Sequence, residues 1–186
     1  MYTVFYIKTT KTMRTHEGEI MDFGEEYVNV EESVQRGKIY DSISAERGSS
    51  FSNEKDAQDA ITKLSAVDQT KLGTILHTFK VEAIDYEFAN LQMFSDCKPF
   101  EIVRVVSDKT IEVRPMIAER DEDFAPEFVP GGFAGHCINQ GEQTWIYRSA
   151  PEAEVVRMRL GKKGWKSCYG RHTLSQEPYK FHDYNF

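Results

Sequence analysis

The chain has 186 residues, 40% of them hydrophobic and 12% aromatic, with a formal net charge of −7. That is enough apolar material for one domain of ordinary size or two small ones, and it excludes a wholly disordered chain. No apolar run approaches the ~20 residues a helix needs to cross a bilayer, so no membrane partner is expected.

Residues 2–9 are rich in β-branched and aromatic side chains and read as a strand. No basic segment precedes this run and no small-residue cleavage site follows it, so it does not read as a signal peptide. Residues 14–26 are polar, acidic and punctuated by glycine, which predicts a loop or an irregular hairpin connection. Residues 27–30 and 38–43 are candidate strands, and 42–52 a polar link. The spacing predicts a helix near 53–67. Asn53 or Ser52 can cap it, Glu54 and Asp56 sit in its first turn, and Ala57, Ala60, Ile61, Leu64 and Val67 share one face. Over 69–79, Leu72, Ile75, Leu76 and Phe79 also fit a helical stripe, which Gly73 weakens. Residues 81–91 fit a strand, a helix or one of each. A small acidic α+β domain is therefore expected over 1–92.

From residue 94 onward the pattern changes to β. Residues 99–106 and 110–116 alternate apolar with charged side chains around the turn Ser107-Asp108-Lys109, a hairpin with one buried face. The charge run Glu119-Arg120-Asp121-Glu122-Asp123 reads as a solvated loop. Residues 144–148 and 154–160 alternate again, and Gly161-Lys162-Lys163-Gly164 turns into Trp165-Lys166-Ser167-Cys168-Tyr169. The expectation for 93–186 is a β-rich, barrel-like or rolled-sheet domain, and for the whole chain an α+β class.

The segment Pro130-Gly131-Gly132-Phe133-Ala134-Gly135-His136-Cys137 is distinctive when taken with Trp145, Val156-Arg157-Met158-Arg159-Leu160 and the closing Lys180-Phe181-His182-Asp183-Tyr184-Asn185-Phe186. This combination resembles a family of small uncharacterised proteins encoded by bacteriophages and prophages. The resemblance covers about residues 96–186. It implies an accessory protein acting in a bacterial host cytoplasm, with no catalytic residues to carry over. Inhibition of a host defence system is a further expectation from that type of protein.

The three cysteines, Cys97, Cys137 and Cys168, are odd in number and widely spaced. A disulfide framework is thereby disfavoured and a reducing compartment favoured. A cysteine nucleophile at Cys137 would need a histidine folded over it, because the neighbouring His136 points to the opposite face of a strand. His136, Cys137, Cys168, His172 and His182 lack zinc-ligand spacing. The Gly131–Gly135 stretch lacks the Gly-Lys-Ser/Thr ending of a phosphate loop. Acid pairs such as Glu25-Glu26 and Glu31-Glu32 follow no calcium-loop spacing. No cofactor, metal or catalytic set is therefore expected.

Charge distribution carries the remaining signal. Residues 1–95 hold 10 Lys+Arg against 16 Asp+Glu, whereas positions 157–180 carry seven cations against Glu177 alone. The acidic front could imitate phosphates or simply solubilise. The basic end interleaves cations with aromatic rings, a pattern that suits phosphate contacts and base stacking or equally a solvated hairpin. The candidate binding residues are Arg159, Lys162, Lys163, Trp165, Lys166, Tyr169, Arg171 and His172. The expected role is binding a host protein or nucleoprotein complex, with inhibition of a nucleic-acid-targeting defence complex as the consequence. Direct nucleic-acid binding by the basic segment is the alternative, and a Cys/His-dependent enzyme the second alternative.

Overall fold

The β-branched and aromatic opening forms a 13-residue strand, β1 (Tyr2–Arg14). The structure is a computed structural model that describes residues 1–14, 19–36, 38–39, 41–43, 45, 48–67, 75–131 and 134–185. The chain divides into two units, Thr3–Ile84 and Met1–Tyr2 with Asp85–Phe186.

In the first unit, β1 pairs antiparallel with β2 (Ile20–Val28) and with β4 (Ser50–Phe51). β3 (Asp41–Ser42) pairs with β2, and β5 (Ile75–Tyr86) with β1. Of the loop or irregular hairpin connection expected over 14–26, the loop is corrected here, because residues 20–26 belong to β2, which pairs with β1 through an irregular register. The register steps from Thr10↔Glu25 to Thr12↔Asp22, so two residues of β2 oppose one of β1. Gly24, at φ +82°, absorbs this bulge, and its amide donates to Asp22 Oδ1 at 2.8 Å. The candidate strand at 27–30 ends at Val28 and gives way to a short helix, α1 (Val30–Arg36), capped by Asn29 Oδ1 accepting from the Glu32 amide at 3.0 Å.

The helix α2 (Glu54–Ser65) begins at Asn53, whose side chain accepts from the Asp56 amide and donates to the Asp56 carboxylate, both at 2.9 Å. Its Ala57, Ala60 and Leu64 pack on Ile7 and Val28 to form the core of this unit. With Leu64 fully buried, truncation to Ala would cost about 2–5 kcal/mol.

The α+β expectation is overturned: strands hold 54% of the chain and helices 14%. The reason lies in the ambiguous stretches. Residues 75–86 form β5, where half-buried His77, Phe79 and Val81 alternate with exposed Thr78 and Lys80. Residues 68–74, including Leu72 and Gly73, lie outside the described residues. Neither described helix is long and apolar enough to cross a membrane.

The second unit is built on a closed six-strand barrel of β6 (Phe88–Gln92), β7 (Cys97–Ser107), β8 (Thr110–Pro115), β13 (Val156–Gly161), β14 (Gly164–Ser167) and β15 (Gly170–Ser175). Closure comes from β8 pairing with β13 and β15 with β6. Ile111, Val113, Met158, Ala89, Leu91 and Phe100 fill the interior. Between β8 and β13 the chain forms two appended ribbons. One joins β9 (Ile117–Arg120) to β12 (Trp145–Arg148), and the other joins β10 (Phe128–Gly131) to β11 (Ala134–Cys137). Glu119 and Arg120, expected in a loop, are thus part of β9, and Glu119 pairs with Arg148 at 2.8 Å.

After β15 the chain runs as a strap held largely by side chains. The amides of Tyr179, Lys180, His182, Asp183 and Tyr184 donate to Asn90, Tyr147, Gln143, Asp96 and Gln140 respectively, and Phe181 bridges Cys97.

Candidate functional site

Alternation along β13, β14 and the start of β15 sorts the basic segment into two faces. Val156, Met158, Trp165, Ser167 and His172 are buried, while Arg157, Arg159, Lys166 and Arg171 are exposed. The register sets Arg159 opposite Lys166 and Lys166 opposite Arg171. Thr110 and Gln92 flank this row on β8 and β6. Three cationic residues therefore stand side by side across three strands, on backbones about 5 Å apart.

Lys162 and Lys163 form the turn at the end of the β13–β14 hairpin. Neither has a positive φ, so the twist of the hairpin is taken up by Gly164 at φ +94°. Arg171 Nη2 donates to the Lys163 carbonyl at 2.8 Å, which draws the guanidinium toward that turn. Arg159, the turn lysines, Lys166 and Arg171 together line an open depression of about 970 Å³.

Like charges placed directly opposite in a sheet destabilise it. None of Arg159, Lys162, Lys163, Lys166 and Arg171 forms an ion pair with a described carboxylate. On the same barrel, by contrast, Arg104 and Arg157 share Glu112, and Arg114 pairs with Glu101 at 2.8 Å. A surface built only for solubility would intersperse the signs. Unneutralised cations in one register leave room for an anion that the chain does not supply.

Two of the expected contact residues are corrected. Trp165 is 8% exposed, and its ring meets Tyr2 edge-on at 5.3 Å while the Tyr2 hydroxyl donates to the Asp108 carbonyl at 2.5 Å. His172 is 3% exposed, 5.0 Å from the Phe100 ring, with Nε2 2.7 Å from Ser167 Oγ. Burial pushes its pKa from 6.5 down to about 4, against a smaller opposing pull from the Ala89 backbone, so it is neutral at pH 7. Its Nδ1 has no partner in good hydrogen-bond geometry, and no carboxylate orients it. Ser167 and His172 are thus both buried, and among the described residues no carboxylate completes a catalytic set with them. Both rings form the floor beneath the row and cannot stack on a ligand. Tyr169, 54% exposed, is the remaining aromatic candidate; it lies at the β14–β15 turn with its ring 6.0 Å from that of Phe100, outside the residues that line the depression.

Sequence reasoning missed Thr110 and Gln92, because their place beside the row depends on strand pairings far apart in the chain. The inward turn of Trp165 did have a local signal, since it neighbours Lys166 in a strand and must face the other way.

The other candidates disperse. His136 is exposed and Cys137 is 2% exposed, on opposite faces of β11. Cys137 is instead tied to the closing motif: its amide donates to Asn185 Oδ1 at 2.7 Å, and Asn185 Nδ2 donates back to its carbonyl at 3.2 Å. Gly132, Phe133 and Phe186 lie outside the described residues. Cys168 is exposed and His172 buried, and no three His, Cys, Asp or Glu converge among the described residues. Gly131, Ala134 and Gly135 belong to the paired strands β10 and β11, and no described helix adjoins them as a phosphate loop requires. Of the acidic pairs, Glu25 contacts Lys80 and Lys8, and Glu32 pairs with Arg36.

No protein-family model, curated protein or solved structure matches the chain.

Proposed function

We propose that the barrel unit binds nucleic acid through its phosphate backbone. Arg159, Lys166 and Arg171 form the contact row, and Lys162 and Lys163 extend it at the turn. The observation that carries this reading is the register: three cations abreast on three strands, none neutralised by a described carboxylate. Because Trp165 and His172 face inward, stacking is left to Tyr169, so phosphate contacts dominate and the binding tolerates changes of base sequence. In the bacterial cytoplasm that the phage resemblance implies, the ligand is host nucleic acid, free or within a nucleoprotein complex. Covering that nucleic acid is how such an accessory protein would inhibit a nucleic-acid-targeting defence complex.

Fluorescence anisotropy with a labelled oligonucleotide over a salt series tests this. For about five phosphate contacts, log K should fall against log salt with a slope between about −3.5 and −4.5. Lys162→Glu combined with Lys166→Glu should lower affinity at least about tenfold and flatten that slope. Full affinity in the double variant, or no binding by the wild-type protein at low salt, rejects the reading.

A further inference from the structure

A second pair of unneutralised cations meets at a different kind of surface. Lys98 on β7 and Lys180 in the strap line a small pocket whose remaining walls are Pro99, Phe100, Pro115, Met116 and Ala118. Its volume is about 160 Å³, roughly five times the ~30 Å³ that a water occupies in the liquid. Neither lysine forms an ion pair with a described carboxylate. Asp96, the nearest acid to influence Lys180, instead accepts from the Asp183 amide at 2.8 Å and faces His182 Nδ1 at 3.5 Å.

Lys180 is held in place. Its backbone amide donates to the Tyr147 hydroxyl at 3.0 Å, and its ammonium lies 5.3 Å from the centre of the Trp145 ring. Burial lowers its pKa, and the neighbouring charge of Lys98 lowers it further, with Asp96 opposing in part. An apolar pocket with a few convergent polar groups, one of them perturbed, is the usual form of a small-ligand site. The apolar walls disfavour a fully hydrated ion, and the two ammonium groups disfavour a neutral guest.

We infer that this pocket binds a small organic carboxylate with a short apolar body, its carboxylate between Lys98 and Lys180 and its tail against Phe100, Pro115 and Met116. The size corresponds to roughly five heavy atoms at that volume per water, close to the six of a four-carbon carboxylate in a pocket that is open on one side. The site lies on other strands than the Arg159–Lys166–Arg171 row and does not depend on it.

Titration with butyrate, followed by the Met116 methyl resonance in the full chain, tests the inference. Inorganic phosphate, chloride and butanol serve as comparators. Butyrate should give a saturable shift of the Met116 methyl at concentrations where the three comparators give none. Lys180→Met, which keeps an apolar stem over Trp145, should weaken butyrate at least tenfold, and Lys98→Met about threefold or more. An equal response to butanol or to chloride overturns the inference, as does undiminished butyrate binding in the folded Lys180→Met protein. Should that variant fail to fold, the wild-type comparison of butyrate with butanol decides alone.

Discussion

Two rows of charged side chains lie two residues apart on the same barrel and solve the same problem in opposite ways. In the first, Arg104, Glu112 and Arg157 alternate in sign, with Glu112 accepting from Arg104 Nε at 3.0 Å and from Arg157 Nε at 3.2 Å. In the second, β8 supplies Thr110 where it had supplied Glu112, and Arg159, Lys166 and Arg171 stand together. Strand β13 contributes an arginine to each row, so the chemistry of the strand does not explain the difference. What differs is the carboxylate between the cations. A barrel able to neutralise one row leaves the next uncompensated, as a surface that receives its counter-charge from a partner would.

The largest effect should come from copying the first row onto the second. Lys166→Glu places an acid between Arg159 and Arg171 and turns two repulsive cross-strand contacts into attractive ones. Nucleic-acid affinity in the anisotropy assay should fall by more than tenfold. The melting temperature should rise by about 2–4 °C, from a gain near 1 kcal/mol. Opposite signs for binding and stability are the signature of a surface kept for a ligand. A lower melting temperature would make Lys166 a structural residue and remove the contrast between the rows.

The next effect separates the row from its floor. The folded pKa of His172 lies near 4 and its unfolded value near 6.5, so the unfolded chain binds the extra proton first. Its contribution to stability is complete above pH 6.5 and is lost as pH falls from there to about 4. Urea unfolding at pH 7 and pH 5 should show a wild-type loss that His172→Gln largely abolishes. Affinity for the oligonucleotide at pH 5 should hold as long as the barrel is folded. A matching loss of stability in His172→Gln would mean that another group carries the slope.

The parts of this molecule that were legible in the sequence are those whose logic is local. Asn53 and the Ala57–Ala60–Leu64 face define α2 within a single segment. Alternation at Ile111 and Val113 defines β8, but the alternation of β7 breaks, leaving Val103, Val105 and Val106 exposed. Its register slips at two bulges that only the pairing with β8 imposes. Gly24 looked like loop punctuation because a bulge has meaning only opposite β1. The candidate site divides in the same way. The cations were visible as composition, whereas their alignment depends on β13, β14 and β15 meeting in one register. The Lys98–Lys180 pocket joins residues from opposite ends of the second unit, and no spacing in the chain announces it.

The smallest effect belongs to the converse substitution in the first row. Hydrogen bonds from Arg104 and Arg157 hold the Glu112 carboxyl below its usual range. Its contribution is present above pH 4.5 and is lost as pH falls through the lowered folded value. Glu112→Gln should therefore lower the melting temperature only slightly at pH 7, since solvent screens exposed pairs, and by progressively less as the pH falls below 4.5. It should also free Arg104 and Arg157 beside Arg159, extending the positive surface across β7, β8 and β13. Affinity for the oligonucleotide should then rise about two- to fivefold, with a salt slope steeper by about one phosphate contact. If affinity stays level, register as well as charge defines the contact, because the added cations lie on the wrong row to follow the same backbone.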